Sequence, residues 1–187
     1  MGKNSSKLSP EDLKDFKSCC HFTEKEITDF YANFHRAYPK GRMSSEQLQE
    51  MYAKLFPDGN ADKFAENVFR VIDVDGDGTV DFREYLFSMS ATLRGDPLEI
   101  FRRAFLLYDV DGDGFITEEE MSAIFQSYHR LRGGSGELDQ SAKAIIKQFD
   151  KDKDQKLSFE EFIQCAQKIP KIVDQMISQR RASVATK

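Results

Sequence analysis

Three twelve-residue acidic segments, each closing on glutamate, constrain this chain more than any other feature. They are DVDGDGTVDFRE from Asp73, DVDGDGFITEEE from Asp109 and DKDKDQKLSFEE from Asp150. A hard divalent cation such as calcium takes six to eight oxygens at roughly 2.3–2.6 Å, which a short segment supplies only by wrapping around it. Oxygens at positions 1, 3, 5, 7, 9 and 12 achieve this in one backbone turn. The first loop offers Asp73, Asp75, Asp77, the Thr79 carbonyl, Asp81 and Glu84, with Gly78 at the sharp turn of position 6. The second offers Asp109, Asp111, Asp113, the Phe115 carbonyl, Thr117 and Glu120 around Gly114. A bidentate glutamate at position 12 of all three favours calcium over the smaller, strictly octahedral magnesium.

The third loop keeps Asp150, Asp152, Asp154, the Lys156 carbonyl and Glu161, but Gln155 stands at position 6. Holding a side chain in the left-handed region costs on the order of 1 kcal/mol. Lys151, Lys153 and Lys156 also leave this loop a formal charge of −2, against −4 in the first and −6 in the second. It is expected to be the weakest of three calcium sites.

Helical signals flank every loop. Phe64, Val68, Phe69 and Ile72 recur at helical spacing before the first. Asp81 with Glu84, Thr117 with Glu120 and Ser158 with Glu161 have capping-box spacing, so the ninth and twelfth residues serve both an ion and an outgoing helix. Val80, Ile116 and Leu157 at position 8 suit a short strand by which two loops pair. Pairing requires an even number of loops, and RAYPKGRMSSEQ (36–47) supplies the fourth. Gly41 falls at position 6, Met43 at position 8 and Ser44 with Gln47 opens the next helix. Arg36, Tyr38, Lys40 and Gln47 stand where ligands would, with Pro39 among them, so this loop is expected to keep the frame without the metal. The repeats predict an all-α protein of four helix–loop–helix hands, with small strand pairs between loops and added N- and C-terminal helices. The expected lobes are residues 1–94 and 95–187, joined at Arg94-Gly95-Asp96-Pro97, with a further break at Arg132 to Gly136. With 16 phenylalanines and 40% hydrophobic residues, each lobe can bury a core.

Met1-Gly2-Lys3-Asn4-Ser5-Ser6 fits the pattern for myristoylation of Gly2. One such chain binds membranes marginally, and Lys3 and Lys7 offer the second, basic signal. No run of 18 apolar residues and no signal-peptide core is present, which predicts a cytoplasmic protein held reversibly or constitutively at a membrane. The formal net charge is −5, and three calcium ions of two charges each would bring it to +1, improving attraction to an anionic inner leaflet. No nucleic-acid partner is expected.

These residues together resemble the neuronal calcium sensor family, which includes recoverin, visinin-like proteins, hippocalcin and frequenin. The resemblance spans the chain: the Gly2 pattern, a dead first hand with a proline and Gly41, and acidic loops in EF-hands two to four. It is closest over FPDGNADKFAENVFRVIDVDGDGTVDFREY (56–85). The chain departs from the family at Tyr38-Pro39, where a Cys-Pro pair is usual, at Phe30, where tryptophan is usual, and at Gln155. The resemblance implies a calcium sensor with an N-myristoyl anchor or switch, in which helices rotate about Gly41 and Gly95. It also implies a groove that receives an amphipathic helix of a membrane-associated target. The matching positions are Phe22, Phe30, Phe34, Leu48, Met51, Tyr52, Leu55, Phe56, Tyr85 and Met89. Apolar residues at this spacing are equally those of an ordinary core. The alternative function is a cytosolic calcium buffer that binds without opening.

Other features carry less. Cys19, Cys20 and Cys165 are sparse and odd in number, as in a reducing compartment without a disulfide framework. His21, His35 and His129 lack zinc-ligand spacing. Ile169, Ile172, Val173, Met176 and Ile177 form an apolar helical face expected to pack on the second lobe. Arg180-Arg181-Ala182-Ser183 has the form of a basophilic kinase site at Ser183. No nucleophile–base pair or phosphate-binding glycine loop is evident, so no enzyme is expected.

Overall fold

Short-range capping signals set where the helices begin. The computed structural model describes residues 8–135 and 141–173. Ser9 caps α1 (Pro10–Cys19), and full capping boxes open α2 (Glu24–Ala37), α3 (Ser45–Leu55), α5 (Phe82–Arg94), α6 (Pro97–Tyr108), α7 (Glu118–Leu131) and α9 (Phe159–Lys168). In each box a side-chain oxygen takes one orphan N–H and the residue three positions on takes another. The remaining helices are α4 (Asp62–Ile72) and α8 (Ser141–Phe149). The capping boxes expected at the ends of the four loops are all formed.

Between the helices lie β1 (Arg42–Met43), β2 (Val80–Asp81), β3 (Phe115–Ile116) and β4 (Leu157–Ser158). β1 pairs antiparallel with β2 and β3 with β4, so that Met43 faces Val80 and Ile116 faces Leu157. All four of these side chains are buried. The eighth loop positions therefore fasten the loops in pairs, as their branched and apolar character suggested, and the fold is four paired EF-hand units dominated by helix.

The first hand differs from its expected frame. Where α4 and α6 are capped by the first loop residue, Asp73 or Asp109, α2 runs on through Arg36 and Ala37 to a cap at Tyr38. The Tyr38 N–H donates to Phe34 O at 2.7 Å, and Gly41 N–H closes a turn on Tyr38 O at 2.8 Å. The reason is local: Arg36 brings no carboxylate repulsion, and Pro39 disfavours helix at the residue before it, stopping α2 only there. From Gly41, at φ +75°, the frame matches the other loops; before it, the helix has absorbed two loop positions.

The lobes meet along two seams. Between α5 and α6 only Gly95 and Asp96 intervene. Gly95 has an ordinary backbone angle, but a Cβ there would lie 2.3 Å from the Ala91 carbonyl oxygen, so closeness rather than twist requires glycine. Across the molecule, Asn60 N–H donates to Arg130 O at 2.9 Å, and the Phe64 ring sits between Tyr52 at 5.7 Å and Tyr128 at 5.6 Å. Arg70 of α4 donates to the carbonyls of Leu106, Leu107 and Asp109 at 2.9–3.1 Å, satisfying acceptors at the C-terminal end of α6.

The apolar tail begins as expected: Ile172 and Val173 are buried, and the Tyr108 hydroxyl donates to Ile172 O at 3.2 Å. Met176 and Ile177 lie outside the described residues, as do Gly2, Lys3, Lys7, Gly136 and Ser183. Among the described residues, no helix is long and apolar enough to cross a membrane.

Candidate metal centre

Each acidic loop gathers three carboxylates. In the groups Asp73–Asp75–Glu84, Asp109–Asp111–Glu120 and Asp150–Asp152–Glu161, one oxygen per residue lies within 4.8 Å of the others. Backbone donors hold these like charges together. Glu84 Oε1 accepts from Val74 N–H at 2.8 Å while its Oε2 accepts from Asp81 N–H at 2.9 Å. Glu120 makes the same pair of contacts with Val110 and Thr117 at 2.9 and 2.8 Å, and Glu161 with Lys151 and Ser158 at 2.7 and 2.9 Å. The residue that opens the outgoing helix thus also staples the last loop position to the second. At the first position, Asp73, Asp109 and Asp150 accept from the N–H of Gly78, Gly114 and Gln155 at 3.0, 3.1 and 2.9 Å.

The residues fit a hard cation. Asp109 is only 3% exposed, and its Oδ1 is buried with no hydrogen-bond partner among the described residues. An orphaned carboxylate oxygen costs several kcal/mol unless something positive meets it. Burial pushes the Asp109 carboxyl up, against the pull of donors from Gly114 and Gly112, and repulsion from Glu120 and Asp113 adds to the rise. An all-oxygen set with two bidentate-capable oxygens on glutamate suits calcium.

The fifth-position aspartates stand apart from these groups. Asp77, Asp113 and Asp154 instead accept from the N–H of Thr79, Phe115 and Lys156 at 2.8, 2.9 and 2.9 Å. Two of them also meet a cation from the paired loop, a feature that sequence reasoning missed. Arg42 bonds to Asp77 Oδ2 and donates to Thr79 Oγ1 at 2.7 Å. Lys156 Nζ donates to Asp113 Oδ2 at 2.8 Å and lies 5.4 Å from the centre of the Phe115 ring. The Lys156 contact holds the Asp113 carboxyl below its usual range, and for Asp77 the Thr79 hydroxyl does so first, with Arg42 assisting. The expectation that Lys156 dilutes charge within its own loop is corrected: its ammonium belongs to the neighbouring loop.

The third loop is strained twice. Gln155 is left-handed at φ +68°, as expected, but Lys153 is also left-handed at φ +65°. The signal was available, since Gly76 and Gly112 occupy the same fourth position in the other two loops.

Nine of the ten residues matched to a target groove join the hydrophobic core, and Leu55 does not. Phe22, Phe34, Leu48, Tyr52 and Met89 are buried, while Phe30, Met51, Leu55, Phe56 and Tyr85 are half-buried. Phe22 and Phe30 rings lie 4.8 Å apart, Phe34 and Tyr85 5.1 Å, and Tyr52 and Phe56 6.3 Å. In this conformation those nine pack into the core. The three cysteines are free thiols, and burial pushes Cys165 up to about 12, far from reactive. The His21 ring contacts Glu99 Oε2 at 3.0 Å, linking the two lobes.

Comparison with known proteins agrees with this architecture. Residues 39–91 and 99–167 each match a family model described as an EF-hand domain pair. The chain is 35% identical to recoverin of Homo sapiens over 174 residues, 88% of this chain and 87% of recoverin. It is 37% identical to neuronal calcium sensor 1 of Lymnaea stagnalis over 180 residues, 92% of this chain and 94% of that protein. It is 33% identical to S-modulin of Aquarana catesbeiana over 174 residues, 88% of this chain and 86% of S-modulin.

Proposed function

The chain belongs to the neuronal calcium sensor family of EF-hand proteins, and from that premise we propose that it senses calcium for a membrane-associated target. The ion is taken in loops 73–84, 109–120 and 150–161, and Gly2 carries a myristoyl anchor. The observation that carries the first part is the threefold convergence of carboxylates, with Asp109 Oδ1 buried and unmatched. Asp73, Asp75, Asp77, Asp81 and Glu84 would hold one ion with the Thr79 carbonyl. Asp109, Asp111, Asp113 and Glu120 would hold another with the Phe115 carbonyl, and Asp150, Asp152, Asp154 and Glu161 the third with the Lys156 carbonyl. Bound calcium would supply the positive charge that offsets the repulsion among these gathered acids.

The output follows from where the glutamates sit. Glu84 is the third residue of α5, which also carries Tyr85 and Met89. A turn of Glu84 toward an ion that carries its backbone along would shift the start of α5, whose Tyr85 packs on the Phe30 and Phe34 rings. Loosening that cluster about Gly41 and Gly95 would present Phe22, Phe34, Leu48, Tyr52 and their neighbours as a groove for an amphipathic target helix. Support for the anchor is the Met1-Gly2 to Ser6 pattern with Lys3 and Lys7 close by.

Two measurements test this. Retention on a phenyl column, or binding of a hydrophobic dye, should rise with calcium; unchanged retention would identify a buffer instead. Myristoylated protein should recover a target from membranes in a calcium-dependent way, and Gly2→Ala should not. Equal recovery by both would remove the anchor from the proposal.

A further inference from the structure

Each lobe joins one intact acidic loop to one imperfect loop, and in both lobes the imperfect loop sends a cation into the intact one. The geometry is the same twice over. Arg42 is the seventh residue of loop 36–47, and it contacts the fifth and seventh residues of the facing loop, Asp77 and Thr79. Lys156 is the seventh residue of loop 150–161, and it contacts the fifth and seventh residues of its facing loop, Asp113 and Phe115. Strand pairing enforces this, because antiparallel register about the eighth positions lays each seventh residue across the partner loop. The relation runs one way: the reciprocal seventh residues are Thr79 and Phe115, neither of them a cation. Among the described residues, Asp154 of the imperfect third loop receives no such cation.

We propose that the imperfect loops regulate their partners: Arg42 and Lys156 are tethered cations that hold Asp77 and Asp113 and weaken calcium binding at loops 73–84 and 109–120. The inference rests on those loops being calcium sites. In both, one carboxylate oxygen of position 5 is turned to a backbone N–H and the other is taken by the cation. An incoming divalent ion must draw that carboxylate away and is itself repelled by the guanidinium or ammonium left within a few ångströms. Without the ion, the same cation screens a loop of crowded carboxylates. Both effects lower apparent affinity and favour the empty loop. The side chains are 36–50% exposed, so solvent screening keeps the effect moderate. On this view the loss of ligands from loop 36–47 did not end its part in calcium binding; its strand places a competitor over Asp77.

The test isolates one site at a time in the full chain. With Glu120→Gln and Glu161→Gln silencing the second lobe, calcium affinity at loop 73–84 is measured by chelator competition. Adding Arg42→Gln should tighten it roughly three- to tenfold, whereas Arg42→Lys should stay within about twofold of its parent. With Glu84→Gln and Glu161→Gln instead, Lys156→Gln should tighten loop 109–120 by a similar factor. A second readout needs no bound calcium: the calcium-free Arg42→Gln protein should melt about 2 °C lower than its parent, and the difference should vanish on loading. Absence of calcium binding in the parents would overturn the calcium reading itself. Binding in the parents with affinity unchanged or weakened by Arg42→Gln and Lys156→Gln would overturn the tethered cations alone. Equal tightening by Arg42→Lys would assign the effect to lost packing rather than charge and overturn it too. If Arg42→Gln fails to fold, the Lys156 arm, on an independent loop, decides.

Discussion

The two imperfect loops fail in opposite ways. Loop 36–47 retains its left-handed glycine, its strand and its capping pair, yet carries arginine, tyrosine, lysine and glutamine where carboxylates belong. Loop 150–161 retains Asp150, Asp152, Asp154 and Glu161, yet bends through two residues that resist the bend, Lys153 and Gln155. The structures differ accordingly. Without ligands, the incoming half of loop 36–47 collapses into α2, while its outgoing half stays in register with its partner. With ligands but without glycine, loop 150–161 still gathers its three carboxylates within 4.8 Å. Strand pairing and helix capping therefore hold the outgoing half of a hand, while the incoming half of loop 36–47 is set by the run of α2 up to Pro39.

The largest effect expected comes from removing a closing glutamate. Glu84→Gln or Glu120→Gln would take away the proposed bidentate ligand and half of the staple to the second loop position. Affinity at that loop should fall by roughly 100-fold or more, beyond the 10–100-fold typical of residues one step removed from a metal. Calorimetry that still counted the site at near-original affinity would show that the frame matters more than the ligand. A smaller gain should follow from restoring both turns of loop 150–161. Lys153→Gly with Gln155→Gly relieves roughly 2 kcal/mol of backbone strain, partly offset by the entropy of two glycines, and should tighten that site about fivefold. No gain would show that neither the strain at these two positions nor the Lys153 charge sets its weakness.

A third prediction separates a latch within the first lobe, Arg94 of α5 on Glu26 of α2, from the sites. The Arg94 guanidinium, aided by Thr23, pulls the Glu26 carboxyl down from 4.5 to about 2. A lowered carboxylate contributes stability above its unfolded value, and loses it as pH falls through the folded one. Carbon NMR of Glu26 should therefore show the pair intact near pH 4 and broken only around pH 2; a midpoint near 4.5 would dissolve the latch. The smallest effect is an expected absence. Placing Asp at 36, 38 and 40 and Glu at 47 should leave calcium stoichiometry unchanged, because α2 and Pro39 still occupy the incoming half. An added high-affinity site would show that ligands alone rebuild the turn.

Much of this was legible because the governing signals are local. Gly41, Gly78 and Gly114, the residues at position 8 and the pairs from Ser44–Gln47 to Ser158–Glu161 each act within a few residues. Hands, caps and strand pairs could therefore be read directly from spacing. What escaped depends on residues far apart in sequence. Arg42 meets Asp77 only through strand register, and Lys156 meets Asp113 in the same way. Arg70 finds the end of α6 only once the lobes have docked. The overrun of α2 lay between two rules, since Pro39 stops a helix one residue before itself and nothing upstream stops it sooner. Lys153 was readable by comparison with Gly76 and Gly112, a fourth-position rule as clear as that at the sixth.

The seam at Asn60–Arg130 and Phe64–Tyr128 makes the covalent link at Gly95 only one of two joints. A chain cut between Gly95 and Asp96 keeps the other joint, together with the Arg70 clasp on α6. Two separately made fragments should then find each other, and any ligand that moves one lobe against the other becomes a dial on how tightly they reunite. Split between two fluorescent halves, such a pair would report occupancy as brightness.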